Sequence, residues 1–277
     1  MPKRFGERLQ EGFDAHGQLC VGIDPHTALL NSWGLEDSVK GLREFGLRVV
    51  DAAHGRVSLI KPQVSFFERF GAKGFEVLAE VTNTASQAGL LVIADAKRGD
   101  IGTTMDAYLE AWFGSQSGLY ANALTVSPYL GLGTYVTNFS GYAAQGKGLF
   151  SLVATSNPEG ASVQLARSQD TTLAGSQWSQ LDALNAEAEA LGDFGAVLGA
   201  TLELDRFEVR PLGLKTPVLA PGFGAQGAEL VDAKRIYGSL ASQVAYSVSR
   251  SVLQAGPADL ARAISESNAQ LSEGLSK

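Results

Sequence analysis

Leu91-Val92-Ile93-Ala94-Asp95-Ala96-Lys97 decides how this chain reads: an unbroken apolar run that ends in a carboxylate and, two residues later, an ammonium. A short β-rich run with no polar face is the signature of a strand buried on both sides in a parallel sheet. The pattern recurs in both directions. Upstream lie Cys20–Asp24 and Val57–Lys61; downstream lie Ala123–Ser127, Leu149–Ala154, Gly195–Gly199, Pro217–Ala220 and Val244–Val248. With Leu91–Asp95 these make eight segments.

Stretches with helical periodicity separate several of them: Ser38–Ala53, Gly74–Ala88, Thr103–Gly118 and Gln177–Leu191. Phe5–His16 reads as a helix ahead of the first strand, and Pro257–Ser272 as a terminal helix. Such alternation predicts a parallel α/β architecture, and eight units in roughly 250 residues is the barrel count. A doubly wound open sheet would carry a Gly-rich fingerprint after its first strand. Here Pro25-His26-Thr27-Ala28 follows instead. The expectation is a single-domain (β/α)8 TIM barrel over 1–277, with the polar segment Thr155–Ser176 as a long loop inside it.

Charge narrows the range of partners. Lys and Arg total 22 against 29 Asp and Glu, a net charge of −7, and no basic run occurs. That argues against a nucleic-acid groove or an anionic membrane surface, so any bound phosphate should be small and local. No apolar stretch approaches the ~20 residues of a membrane span. The charged start, Met-Pro-Lys-Arg-Phe-Gly-Glu-Arg-Leu, lacks the apolar region of a signal peptide, which gives a cytoplasmic expectation. The single cysteine, Cys20, excludes an intramolecular disulfide and a cysteine-based metal cluster, and it reads as a small core hydrophobe. His16, His26 and His54 are scattered, with His26 read as a loop residue, so neither metal nor cofactor is expected.

Function in this fold sits at the C-terminal ends of the strands. The first strand ends in Asp24, the second in Lys61, and the third in Asp95-Ala96-Lys97 with Asp100 beyond. Period-two geometry places Asp95 and Lys97 on one face. Solvated loop charges would show no such alternation of sign over three adjacent strands. Strand seven leads into Pro221-Gly222-Phe223-Gly224-Ala225-Gln226-Gly227 and strand eight into Ser249-Arg250-Ser251. Loops in those two positions commonly bind phosphate, glycines letting backbone approach the anion and an arginine pairing with it.

At this point the chain resembles the orotidine 5′-phosphate decarboxylases, specifically their longer bacterial form (type 2). The family pattern Asp-x-Lys-x-x-Asp-Ile-x-x-Thr is present as Asp95-Ala96-Lys97-Arg98-Gly99-Asp100-Ile101-Gly102-Thr103-Thr104. Further matches run from Gly22-Ile23-Asp24-Pro25 and Lys61-Pro62 through Thr125-Val126-Ser127-Pro128-Tyr129-Leu130-Gly131 to the two late loops. The resemblance implies that Lys97 donates a proton to C6 of the pyrimidine and that Asp95 lies against the substrate carboxylate. It implies that Lys61 bridges the charge network and the ribose, and that Asp24 bonds the ribose. Asp100, Ile101 and Thr104 would complete the partner subunit's site in a homodimer. Gln226 and Arg250 would hold the 5′-phosphate, with Pro221 and Ser249 beside the substrate. Two positions depart from the pattern: Ser249 stands where glycine is common, and Gly133-Thr134 where Asp-Ser is common. Ser127 or Thr134 would then contact the pyrimidine. Gly224–Ile236 is expected to close over the ligand.

Sugar-phosphate enzymes of the same barrel, such as hexulose-phosphate synthases, share Asp-x-Lys-x-x-Asp but use a divalent metal. They usually carry acidic residues where this chain has Lys61. A binding protein that had lost its activity would be expected to lack a charge of the cluster, and none is missing.

Overall fold

The computed structural model describes residues 2–277. Eight strands close into a barrel: β1 (Leu19–Ile23), β2 (Leu59–Pro62), β3 (Leu91–Arg98), β4 (Ala123–Val126), β5 (Gly148–Ala154), β6 (Phe194–Leu198), β7 (Val218–Ala220) and β8 (Val244–Val248). Each strand pairs in parallel with its sequence neighbours, and β8 closes on β1 through Leu19–Tyr246, Cys20–Ser247 and Val21–Val248. The expected barrel is therefore the observed one.

Strand pleating explains how one sequence supplies both a core and a site. Alternate residues point into the barrel. Near the strand starts these are Cys20, Leu59, Leu91, Ile93, Ala123, Phe150, Val197, Leu219 and Ala245, which form one buried apolar cluster. Two residues further along, the same inward columns carry Lys61, Asp95, Thr125 and Ser247, all buried. The barrel thus grades from hydrocarbon to charge along its axis. Burial pushes the Cys20 thiol, in the lower layer, up to about 12.

The lower end is plugged. Helix Phe5–His16 sets Phe5, Leu9 and Phe13 into the inward cluster. Phe5 meets Phe150 edge-on, with ring centroids 5.9 Å apart at 88°. That approach needs glycine at the start of β5, because a Cβ on Gly148 would fall 2.3 Å from the Phe5 ring. Outside the barrel a second, larger core packs helices such as Val39–Ala53 and Gly71–Gln87 onto the outward strand residues.

Three segments differ from the sequence expectation. The expected loop Thr155–Ser176 contains a two-residue hairpin, Arg167–Ser168 against Thr171–Thr172. Glu208 anchors it by accepting from Thr171 Oγ1 at 2.7 Å and Thr172 N–H at 2.9 Å. The helix expected over Gln177–Leu191 runs from Leu173 to Leu184. Thr172 caps its start by accepting from Gly175 N–H. Asn185 ends it by turning its amide onto the Phe194 carbonyl at 2.7 Å. Within Gly224–Ile236, residues Leu230–Asp232 form a 3-10 turn and Ala233–Tyr237 a helix. Leu230 and Ala233 are buried, and the C-terminal helix Gly256–Ser276 lies so close that a Cβ on Gly274 would meet the Leu230 carbonyl. Only the exposed stretch 224–227 and its flanks keep the character of a loop.

Candidate active site

Asp95 is the hub of the barrel mouth. Its Oδ2 accepts from Lys61 Nζ at 3.0 Å and from Gln63 Nε2 at 3.0 Å. Its Oδ1 accepts from Lys97 Nζ at 2.6 Å and from Thr125 Oγ1 at 3.0 Å. Four donors from three strand ends converge on one carboxylate. Lys61 is nearly sealed, with 7% of its side chain exposed, whereas 45% of the Lys97 side chain faces the opening. The inner ammonium is structural in placement and the outer one is accessible.

Burial alone would raise the Asp95 pKa, but the Lys61 and Lys97 ammonium groups and their hydrogen bonds outweigh it. The carboxyl is held well below the usual range. Burial likewise acts to deprotonate Lys61, and the Asp95 and Asp24 charges overcome it, holding Lys61 above the ordinary lysine value. The stability that Asp95 contributes is therefore full above the unfolded carboxylate value and is lost only in strong acid. That of Lys61 is full below the unfolded lysine value and is lost only in strong alkali.

Lys97 reaches Asp95 by an irregular route. Its backbone has φ +50°, a left-handed value that costs a non-glycine residue energy. The β3–β4 register also shifts between Ala94 and Arg98. Period-two alternation anticipates the shared direction of Asp95 and Lys97 but not this bulge. Arg98 secures the far side of it, donating to the Ala96 carbonyl at 2.9 Å and pairing with Glu68.

A cavity of about 290 Å³ opens above the cluster. Asp24, Lys61, Asp95 and Lys97 line it together with Pro221, Gln226, Ser249 and Arg250. Its charged lining is two carboxylates against three cations, a local excess of positive charge in a chain whose net charge is −7. An anionic ligand fits that field. Asp24 Oδ2 accepts from Ser249 Oγ at 2.5 Å, while Oδ1 is buried without a partner among the described residues. The loop after β7 depends on Gly224, which has φ +74° and whose Cβ would meet Ser251 at 2.5 Å. Ser156, from the loop after β5, donates to Gln226 Oε1 at 3.1 Å and so bridges the mouth.

The other expected residues lie elsewhere. Ser127 lines an adjoining cavity of about 400 Å³, divided from the first by Leu152. Thr134 is exposed, and its hydroxyl donates to the Gly131 carbonyl at 2.8 Å in a helix start, away from the charged cavity. Asp100 accepts from the Ile101 N–H, Ile101 is 60% exposed, Thr104 is exposed, and none of the three lines this chain's cavity. His26 caps helix Thr27–Ser32 by accepting from Leu29 N–H. Sequence reasoning missed Gln63 and Thr125 as partners of Asp95, and Ser156 and Asn157 as cavity lining. The inward parity of Gln63 and Thr125 could have exposed the first two. A wider depression of about 730 Å³, lined by Glu203, Asp205, Glu229 and Asp232 among others, lies outside the barrel mouth and holds none of the strand-end charges.

Comparison with known proteins bears on this geometry directly. The orotidine 5′-phosphate decarboxylase / HUMPS family matches residues 17–264, from the foot of β1 past β8. The chain belongs to that family. An orotidine 5′-phosphate decarboxylase of Streptomyces coelicolor is 49% identical over 255 residues, 91% of each chain. One from Salinispora tropica is 48% identical over 254 residues, again 91% of each. The crystal structure of a candidate orotidine 5′-phosphate decarboxylase from Streptomyces avermitilis superposes with a TM-score of 0.95 at 45% identity, covering 100% of this chain and 98% of the other. Among the described residues no helix is long and apolar enough to cross a membrane.

Proposed function

We propose that this chain converts orotidine 5′-monophosphate to UMP and CO2, as a metal- and cofactor-free carboxy-lyase. The observation that carries the reading is the Lys61–Asp95–Lys97 alternation, its first two members buried and its third accessible, facing one cavity with Arg250 and Gln226. The chemistry follows from the reacting bond. When the C6–carboxylate bond breaks, CO2 leaves and the electron pair stays on C6, in the ring plane, with no conjugated sink. Lys97, the accessible ammonium, stabilises that pair and then transfers its proton to it. The neutral amine regains a proton from water.

Asp95 acts on the ground state. Two carboxylates ~3 Å apart repel by about 5 kcal/mol at an effective dielectric near 20. The repulsion fades as the substrate carboxylate becomes neutral CO2, so it lowers the barrier. Asp95 can hold its charge there because Lys61, Gln63, Lys97 and Thr125 all donate to it. Asp24 would take a ribose hydroxyl, and Gln226 and Arg250 the 5′-phosphate.

Lys61 separates this reading from metal-dependent sugar-phosphate chemistry on the same barrel. Its ammonium occupies the place where a cation-binding acid would be needed, and it is hydrogen-bonded to Asp95. The test is the ultraviolet absorbance change on loss of orotidine 5′-monophosphate, run with and without EDTA. The expected outcome is turnover at an equal rate in both. Activity that dies in EDTA and returns with Mg2+ would move the chain to the sugar-phosphate branch.

We read the chain as one barrel domain acting as a homodimer in the cytoplasm. Supporting the dimer, Ile101 stands exposed just after Asp100, and Tyr129 and Leu130 after β4 are exposed as well. Asp100, Ile101 and Thr104 would then serve the partner's site. Mixing inactive Lys97→Ala with inactive Asp100→Ala should restore part of the activity, since a mixed dimer assembles one site free of both lesions. If subunits exchange, shown by tagged-chain pull-down, and no activity returns, Asp100 works within its own chain.

A further inference from the structure

We infer that Thr125 is a positioning residue for the reaction, one hydroxyl that fixes both the backbone of Lys97 and the carboxylate of Asp95. The inference rests on the reading of Lys97 as proton donor. Thr125 lies on β4 with 1% of its surface exposed, and it lines the charged cavity. Its Oγ1 accepts from Lys97 N–H at 2.9 Å and donates to Asp95 Oδ1 at 3.0 Å. A hydroxyl carries one proton and two lone pairs, so both bonds can form at once. Donating to Asp95 commits that proton, and the lone pairs then receive the Lys97 amide.

The location gives these bonds their consequence. Lys97 sits at φ +50° where the β3–β4 register slips between Ala94 and Arg98. A side chain with a Cβ persists in that region only where its surroundings hold it. Leu91 N–H donates to the Ser58 carbonyl and Val64 N–H to the Asp95 carbonyl, so the odd residues of β3 face β2 and a regular ladder would turn the Lys97 N–H that way as well. Here the slip withdraws it from the ladder, and the Thr125 hydroxyl supplies the acceptor. Pairing resumes one residue later, where Arg98 aligns with Val126 and Ser127 N–H donates to the Arg98 carbonyl at 2.8 Å. Thr125 therefore bridges the gap in the sheet at the residue that carries the chemistry. Without the hydroxyl, the Lys97 N–H loses its acceptor and Lys97 is released toward regular extended backbone, which re-aims Nζ.

The same oxygen sets Asp95. Lys97 Nζ and Thr125 Oγ1 share Oδ1, while Lys61 and Gln63 share Oδ2. Thr125 thus fixes the rotation of the carboxylate that Lys97 must meet, and couples donor and carboxylate through one atom.

The experiment compares wild type, Thr125→Val and Thr125→Ser. Valine keeps the shape of threonine and removes the hydroxyl; serine keeps the hydroxyl and removes a methyl. Displacing a reacting group by ~1 Å can cost about a hundredfold in rate. We expect kcat of Thr125→Val to fall roughly ten- to a hundredfold, with UMP affinity by calorimetry within about threefold. Thr125→Ser should recover most of the rate. A crystal structure of Thr125→Val gives a readout independent of turnover: Lys97 should leave its positive φ, or Nζ should draw away from Asp95. An undisturbed Lys97 in that structure overturns the inference, as does wild-type kcat in Thr125→Val or a serine variant no faster than the valine one. If Thr125→Val does not fold, Thr125→Ala serves in the same comparison. Should wild type fail to consume orotidine 5′-monophosphate, the reading of the reaction falls, while the crystallographic comparison still decides the role of Thr125.

Discussion

Lys97→Ala should cut decarboxylation by about 10⁴-fold or more while leaving UMP binding close to that of the unmodified enzyme. Proton donation contributes roughly 10²–10⁴-fold and stabilisation of developing charge another 10²–10³-fold, and this one ammonium supplies both. The fold should survive the change. Nearly half of the Lys97 side chain is exposed, and Asp95 keeps Lys61, Gln63 and Thr125 as partners. UMP has no C6 carboxylate, so an Asp95 stripped of its outer ammonium has nothing to repel. Affinity for UMP and for the substrate should therefore diverge in the variant, with the substrate the more weakened. Single-turnover assays and calorimetry with UMP measure the two effects separately. Decarboxylation near the wild-type rate would sink the mechanism.

Arg250→Ala is the second large effect, and it acts at the opposite end of the ligand. Arg250 is exposed at the cavity mouth at the start of helix Arg250–Leu253, whose Val252 and Leu253 do the packing. Losing the guanidinium should leave the barrel intact. A charge-assisted contact in a partly desolvated site is worth about 2–5 kcal/mol. At 1.4 kcal/mol per decade, kcat/KM should fall roughly 30- to 4,000-fold. The diagnostic control is orotidine, which lacks the phosphate. On that substrate the loss should almost vanish, because Arg250 has nothing to hold. An equal proportional loss on both substrates would assign Arg250 to the barrel instead of the phosphate.

Much of the fold was legible because buried parallel strands leave continuous apolar runs, and the strand ends then point to the site. Asp24, Lys61, Asp95, Lys97 and Arg250 all lie around one cavity, as their placement at the C-terminal ends of β1, β2, β3 and β8 implies. What was not legible depends on pairing between distant segments. The hairpin Arg167–Thr172 has strands too short for any periodicity, and it is held by Glu208, far along the chain. Gly224–Ile236 looked free because the glycines and alanines of its first half resemble a loop; the order of Leu230–Tyr237 comes from the C-terminal helix packed over it. The positive φ of Lys97 and the two hydrogen bonds of the Thr125 hydroxyl go with a register slip between β3 and β4. No single strand's residues encode that slip.

The plug formed by Phe5, Leu9 and Phe13 gives the chamber a floor. At the other end the Ser156–Gln226 hydrogen bond ties together two loops that line the cavity. If that tie holds the loops over bound ligand, CO2, small and uncharged, would slip past it, whereas a nucleotide held by its phosphate would have to wait for the 224–227 loop to open. Departure would then be ordered, gas before nucleotide. Turnover at saturating substrate would be paced by opening of the 224–227 loop and would slow in viscous solvent, even when the bond itself breaks quickly.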